Sequence, residues 1–411
     1  DMVDRSLTVV DANADQKRLI LSEYPNALFE TAQKIMQSAP PEAANLVWFA
    51  NDDDPAKALL HLAQSLMRHG CQGHSLGLTV ITRGAYATDV NAAAVHGLAG
   101  SLAQEVPLWD IRALDLGASD GLHLAKALRV RGQAGQVSFL YQAGAWHTRC
   151  LVPGIWDVPK TAPYAEGGVY VVIGGAGGLG QAWTRHVLAQ TDAKIIWLGR
   201  SSPKGDVAQA LEHLGQAVDY VKTDARDKAS LQQSLNRIHQ EYGRIDGVIV
   251  SALAGYDCAV ADLTDSVFDD VMATRVQVVQ NLSECLRGKR PGFVVAFSSM
   301  ASFARPAGMP AYAAGCAAAD AAMSDLGHAL RCQATVINWG YWDIGGGARV
   351  TQAMKALVDK RGVVPMEPAQ AFAAMDWAIS AGMPQVAITR TTRPDAIEAF
   401  RGDINWSTLS A

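Results

Sequence analysis

No Cys-x-x-Cys pair occurs in this chain; its six cysteines (Cys71, Cys150, Cys258, Cys285, Cys316, Cys332) are scattered. Zinc-ligand spacing is therefore absent and no metal site is expected. A disulfide framework suits short secreted chains, not one of 411 residues, so a reducing, cytoplasmic setting is the expectation. Charge is scarce too. Charged residues make up 18% of the chain and the net charge is −5, which lacks the basic footprint of a nucleic-acid binder. No apolar run is long enough to span a bilayer. The opening residues Asp1-Met2-Val3-Asp4-Arg5 hold no basic region followed by an apolar core, hence no visible signal peptide. A start at Asp1 rather than Met fits an excised piece of something longer. Hydrophobic residues are not scarce: at 49% they can build a sizeable core, and the length suggests two domains or large subdomains.

A turn-rich stretch, Thr161-Ala162-Pro163-Tyr164-Ala165-Glu166-Gly167-Gly168, precedes the apolar run Val169–Ile173 and suggests a joint near 165. Beyond it, the pattern predicts strands at Val169–Ile173, Lys194–Leu198, Ala217–Val221, Gly247–Val250, Gly292–Phe297, Thr335–Asn338 and Gln385–Thr389. Helices are predicted at Gly178–Gln190, Val207–Leu214, Lys228–Tyr242, Thr264–Leu286 and Tyr312–Leu330. Continuous apolar strands between helices indicate an α/β fold: a doubly wound parallel sheet covered on both faces.

The first half repeats the rhythm faintly. Strands are expected at Leu46–Ala50, Leu76–Thr82 and Ile111–Leu116, with helices at Pro55–His69 and Asn91–Val106. Its first such strand leads into Asn51-Asp52-Asp53-Asp54, where carboxylates would repel a pyrophosphate. Residues 1–165 are therefore expected to be a supporting subdomain without a cofactor, and residues 166–411 the cofactor-binding one.

The string Gly174-Gly175-Ala176-Gly177-Gly178-Leu179-Gly180 follows one predicted strand and opens a helix. Glycines there allow a tight turn and let backbone N–H groups approach a pyrophosphate at the positive end of the helix. The next strand ends Leu198-Gly199-Arg200-Ser201; an arginine in place of the usual acid suits a 2′-phosphate and hence NADPH. Asp224 closes the third strand. It could accept a hydrogen bond from an adenine amine or cap the following helix, and both readings stand. Ser299 follows the fifth strand, and Tyr312 lies 13 residues later at the head of an Ala-rich helix. Ketone reduction needs a hydride donor, a proton donor and hydrogen bonds at the oxygen; a phenol beside a cation and a serine hydroxyl fill the last two roles.

The series Gly-Gly-Ala-Gly-Gly-Leu-Gly, Leu-Gly-Arg-Ser, Phe-Ser-Ser-Met-Ala-Ser-Phe, Tyr312-Ala-Ala-Gly-Cys316 and Asn338-Trp339-Gly340-Tyr341-Trp342 resembles a ketoreductase domain of a modular polyketide synthase. It is most similar to domains of assembly lines with free-standing acyltransferases. Residues Ala94–Glu105 resemble the helix of that family's truncated Rossmann-like structural subdomain. The resemblance implies a Rossmann fold of the short-chain dehydrogenase type and NADPH-dependent reduction of a β-ketoacyl thioester on an acyl carrier protein. It also implies neighbouring synthase domains in one polypeptide; as an excised domain the chain is expected to be a monomer. Tyr312 matches the proton donor, Ser299 the carbonyl-orienting serine and Cys316 a position commonly held by asparagine. Ser201, Ala225, Ser251, Ala252, Asn338 and Gly340 join the cofactor set by the same resemblance. The family's catalytic lysine is replaced by Arg275, which keeps the charge but does not release a proton. A reducing enzyme and a weak or silent structural domain therefore both stand. Gly345-Gly346-Gly347 before a helix at Val350–Lys360 suits a lid or, equally, a plain surface loop. Markers of alcohol configuration are missing: the stretch Ala254-Gly255-Tyr256-Asp257-Cys258 lacks the Leu-Asp-Asp motif, and Ala304 stands where a tryptophan marks the other type.

Overall fold

The computed structural model describes residues 7–37, 45–87, 89–117, 130, 136–152, 154, 156–159, 161–252, 257–343, 360 and 362–397. The glycines Gly345–Gly347, residues 350–359 of the expected helix and residues 254–256 lie outside them.

The first half forms strands β1 (Leu7–Val10), β2 (Leu28–Glu30), β3 (Asn45–Phe49), β4 (Leu76–Thr82), β5 (Trp109–Asp115), β6 (Ser138–Gln142) and β7 (Ala145–His147). Their order is β2-β1-β3-β4-β5-β6-β7, parallel except for the closing β6–β7 hairpin. Helices α1 (Ala14–Glu23), α2 (Ala32–Gln37), α3 (Pro55–Arg68) and α4 (Val90–Glu105) connect the earlier strands. The strand at Asn45–Phe49 is thus not the first of its sheet. Leu7–Val10, a buried run of four residues, precedes it and is not among the expected strands. The expected joint near 165 falls between β7 and the next strand.

The second half forms β8 (Val169–Ile173), α5 (Gly178–Leu188), β9 (Lys194–Gly199), α6 (Asp206–Leu214), β10 (Val218–Lys222), α7 (Lys228–Tyr242), β11 (Gly247–Val250) and α8 (Asp265–Met272). After a π-helical turn at Ala273–Gln277 come α9 (Val278–Cys285), β12 (Phe293–Ser299), α10 (Ala301–Ala304), α11 (Pro310–Leu330) and β13 (Gln333–Trp339). A small antiparallel pair, β14 (Val363–Val364) and β16 (Arg390–Thr391), brackets α12 (Pro368–Ser380) and β15 (Gln385–Ile388). The sheet order is β10-β9-β8-β11-β12-β13-β15, all parallel. This is the Rossmann winding, with a switch point at β8 where the connections reverse direction.

The same topological place in the first sheet belongs to β1, flanked by β2 and β3. The residue after β1 is Asp11, at φ 56, and its carboxylate accepts from Ala32 N and Trp48 Nε1, both at 3.0 Å. A carboxylate stands there where β8 is followed by glycine. Asp54, one of the acidic residues after β3, caps α3 by accepting from Lys57 N at 3.2 Å.

The two halves share one core. Leu59, Leu62, Val95, Leu98 and Leu102 of the first half cluster with Val260, Phe268, Val271, Ala311, Ala314 and Ala318 of the second. Helix α4 presents small residues to α11, so the backbones nearly touch. A Cβ on Gly97 would lie 2.5 Å from Ala313 O, and one on Gly100 would overlap the Arg305 side chain. Gly97→Ala is therefore expected to lower unfolding stability by about 1–3 kcal/mol. Urea unfolding should show a lower midpoint with an unchanged slope.

Candidate active site

The glycine turn sits at the carboxyl end of β8. Gly174 has φ 79, and a Cβ there would lie 2.9 Å from Ser251 O and 3.0 Å from Ala252 N. Gly175 carries the Trp197 indole directly against it, and a Cβ on Gly180 would meet Gly175 Cα at 2.6 Å. These glycines are needed because two backbone segments and a ring converge on the turn. Gly177 N bonds Gly174 O at 3.0 Å, and α5 then starts at Gly178 with no side-chain cap. Uncapped N–H groups at a helix start, over a turn without Cβ atoms, form the cradle that a pyrophosphate needs. Ala176 and Leu179 are part of that turn and half-buried. The residues present therefore fit a dinucleotide.

Arg200 and Ser201 are exposed just past β9. The charge of Arg200 reaches Asp224, across the end of the sheet. Asp224 itself is not a free acceptor and does not cap α7. Arg226 holds it through Nε–Oδ1 at 3.0 Å and Nη2–Oδ2 at 2.8 Å, and this pair keeps the Asp224 carboxyl below the usual range. The cap is Asp227, which accepts from Ser230 N at 2.6 Å. Arg226 also donates from Nη1 to Asp270 at 2.8 Å, tying the end of β10 to α8. Ala225 is buried beside this pair, and Ser251 and Ala252 are half-buried past β11.

Ser299, Tyr312, Arg275 and Cys316 come together. Ser299 ends β12, and Tyr312 lies in the first turn of α11, which Pro310 opens. The Arg275 guanidinium packs over the Tyr312 ring, with Cζ 4.5 Å from the ring centroid, a cation–π contact. Arg275 is 4% exposed and projects from the π-helical turn, a helix defect that often marks functional sites. Its Nη1 donates to Phe297 O at 3.5 Å, while its Nε is buried with no partner. Burial alone would lower the Arg275 pKa, but Cys316, Tyr312 and Asp320 more than offset it. Burial likewise pushes the Tyr312 phenol above its ordinary value. Arg275 and a hydrogen bond with Ser299 pull the other way without overcoming it. The sequence suggested only the acidifying half of that balance. Burial lifts the Cys316 thiol to about 11, so it stays protonated at neutral pH.

Asn338 is fully buried, and its side chain enters the floor of the site. Its Nδ2 lies 3.1 Å from Ser299 O and 3.0 Å from Asp320 Oδ2, and its Oδ1 accepts from Gln385 at 2.7 Å. Gly340 packs against Thr389, with room for no Cβ. Sequence reasoning missed Asp320 and Gln385. An acid four residues after Cys316, amid alanines, was the available signal.

It also missed the grip of the first half on the loop between Ser299 and Tyr312. Ser101 Oγ donates to Pro306 O at 2.6 Å, and Gln104 Nε2 lies 2.6 and 2.7 Å from Ala304 O and Arg305 O. Glu105 accepts from Gly308 N at 2.9 Å and from Val260 N at 2.8 Å. One carboxylate thus joins the two loops that follow β11 and β12.

The winding, the glycine turn at the switch point and the Ser/Tyr pair at the carboxyl ends define a short-chain dehydrogenase/reductase fold. Residues 168–344 match the family model "KR domain". Polyketide synthase ThaG from Burkholderia thailandensis is 31% identical over 351 residues, 83% of this chain and 6% of that protein. Polyketide synthase PksM from Bacillus subtilis is 31% identical over 309 residues, 74% of this chain and 7% of that protein. The chain therefore spans a small fraction of these relatives. Among solved structures, the first ketoreductase of the tylosin PKS gives a TM-score of 0.80 at 22% identity, covering 97% of this chain and 94% of that one. A ketoreductase domain from the bacillaene assembly line gives 0.75 at 21%, covering 96% and 94%. The chain belongs to the ketoreductase domains of polyketide synthases, an oxidoreductase family that binds nicotinamide cofactors.

Glu105→Ala leaves two partly buried amides without their acceptor, at a cost of about 1–3 kcal/mol. The expected result is a lower melting temperature with unchanged nicotinamide cofactor affinity, read by calorimetry and fluorescence titration.

Proposed function

We propose that this chain reduces a β-ketoacyl thioester, carried by an acyl carrier protein, to the β-hydroxyacyl thioester with NADPH. The observation that carries the reading is Arg275 stacked on Tyr312 beside Ser299, at the end of the sheet that holds the glycine turn. Bound at that turn, NADPH supplies the hydride. Gly174–Gly180 would hold its pyrophosphate, and Arg200 with Ser201 would meet the 2′-phosphate. Ser299 orients the ketone oxygen, and Tyr312 gives it a proton as negative charge develops. Arg275 then faces the tyrosinate and stabilises it electrostatically. The buried, unpartnered Nε of Arg275 offers one further donor in the site. Residues 1–165 act as a supporting subdomain that positions the loop before Tyr312. Other synthase domains of the same polypeptide are the proposed neighbours, and the excised domain is a monomer in the cytoplasm.

Arg275 also motivates a second reading, a weak or silent domain with a docking role. A guanidinium does not release a proton, and this one is anchored by stacking and burial. Arg275→Lys separates the two: a large gain in turnover supports the silent reading, and no gain supports the active one.

The direct test is purified protein with NADPH and a β-ketoacyl thioester surrogate, with chiral analysis of the product. NADPH oxidation is expected, and its absence despite bound cofactor overturns the reading. Tyr312→Phe should cost about 10²–10⁴-fold in kcat. Arg200→Ala should weaken NADPH about 10–100-fold, as expected for losing a charged hydrogen bond, and leave NADH unchanged. The phenol is the acid form below its pKa, which burial raises. kcat/KM should therefore stay level through neutral pH and fall only on the alkaline side as Tyr312 loses its proton.

A further inference from the structure

Arg149 belongs to the first half by sequence but stands at the site of the second. It lies two residues past β7, half-buried, and 236 positions before the side chain it bonds. Its guanidinium lies over Phe303, with Cζ 4.5 Å from the ring centroid, a cation–π contact. Its Nη2 donates to Gln385 Oε1. Phe303 is in α10, just after Ser299, and Gln385 opens β15, the strand beside β13. One side chain from the first half therefore touches both the helix that follows Ser299 and the strand beyond β13. The proposed chemistry of Ser299 and Tyr312 makes no direct use of it.

Both contacts continue to Ser299. Ala301 N, the first amide of α10, donates to Ser299 Oγ at 3.1 Å. With that lone pair taken, the hydroxyl keeps its hydrogen for another acceptor. On the other side, Gln385 Nε2 donates to Asn338 Oδ1 at 2.7 Å, and Asn338 Nδ2 donates to Ser299 O at 3.1 Å. The directions are forced. An arginine only donates, so the Gln385 atom facing Arg149 is the oxygen, and its nitrogen faces Asn338. Asn338 then turns its oxygen to Gln385 and its nitrogen to Ser299. The Ser299 carbonyl only accepts, and it demands the same orientation from the far end. Asp320 Oδ2 accepts from both amides, each at 3.0 Å. Burial pushes the Asp320 carboxyl up, and Oδ2 accepts whether or not Oδ1 carries a proton toward Ser298.

We propose that Arg149 is a positioning residue for Ser299: it clamps α10 through Phe303 and the Asn338 amide through Gln385, and so fixes the Ser299 hydroxyl and carbonyl. This rests on the reading of Ser299 as the group that orients the ketone oxygen. The first half thus contributes a side chain to the floor of the site as well as its grip on the loop before Tyr312. A clamp that acts through Gln385 makes a demand that packing on Phe303 does not. Removing the donor while keeping the apolar stem must loosen the Gln385 and Asn338 amides.

Arg149→Met is the test, because it keeps an apolar chain over Phe303 and removes the donor. Arg149→Lys keeps a donor-only group, and Gln385→Met breaks the chain at its second member. Hydrogen exchange of the Asn338 and Gln385 side-chain amides is followed in the cofactor-free protein by nitrogen–proton NMR, assigned with Asn338→Ala and Gln385→Met. Steady-state kinetics are measured in parallel, and cooperative thermal unfolding confirms an intact fold. Both amides should exchange about 10–100-fold faster in Arg149→Met, as expected for losing a charged hydrogen bond. Its kcat should fall about 10–100-fold, as for a misplaced reacting group, with the KM for NADPH within about twofold. Arg149→Lys should recover most of that loss. The double variant Arg149→Met/Gln385→Met should be no slower than Gln385→Met alone, since the two residues act in series. Exchange as slow in Arg149→Met as in the wild type overturns the proposal, as does an Arg149→Lys that is no better than Arg149→Met. A wild type that reduces no ketone overturns the functional reading instead, and the exchange arm, which needs no turnover, still decides the clamp.

Discussion

Everything at the reactive end of this molecule depends on how closely α4 can approach α11. No side chain separates Gly97 from Ala313, and Ala313 is the immediate neighbour of Tyr312. The position of the phenol is therefore set by backbone touching backbone, which has little compliance in a close-packed interior. Further along α4, Ser101, Gln104 and Glu105 use that closeness to take hold of the loop that delivers Tyr312. The first half has a mostly parallel sheet wound like the second, and it meets the Ser299–Tyr312 region through α4. Where its own glycine turn would sit, Asp11 is engaged in bonding Ala32 and Trp48.

Beneath Tyr312 the constraint is electrostatic. Arg275 is an arginine taken out of water without a carboxylate in direct contact, an arrangement that is costly unless other groups answer it. The Tyr312 ring face, the Phe297 carbonyl and the charge of Asp320 answer it together. None of these resembles the exposed pairs on the surface, such as Arg18–Asp15, which contribute little to stability. The buried set is interlocked: Asp320 holds Asn338, Asn338 reaches the backbone of Ser299, and Gln385 ties both to Arg149. Moving one member disturbs the rest, which makes the floor of the site a single unit.

The second sheet was legible because its central strands are buried apolar runs between turn residues, with only the edge strands Val218–Lys222 and Gln385–Ile388 half-buried; Lys228–Tyr242 and Gly247–Val250 are found with the expected bounds. The glycine turn was legible for the same local reason. The short strands of the first sheet were not. Leu7–Val10 pairs in parallel with both β2 and β3, and it lies alone near the start of the chain with no turn-flanked repeat beside it to mark it out. The Arg275 replacement could be read from the resemblance, yet its stacking could not, because it depends on a π-helical turn that no residue in Ala273–Gln277 announces. Asp224 looked available in the sequence. Arg226, two residues on, turned out to engage it, a contact that follows from the bend after β10.

The hydrogen bonds from α4 to the loop before Tyr312 join residues 200 to 205 positions apart. On a ribosome adding about 5–20 residues per second, α4 must wait roughly 10–40 s for that loop to be made. For all that time the small, apolar face from Ala92 to Leu102 has no α11 to cover it. The helix that later sets the phenol in place is thus, during synthesis, an uncovered sticky surface. Chaperone capture or mispairing with a neighbouring nascent chain would find its first opening there.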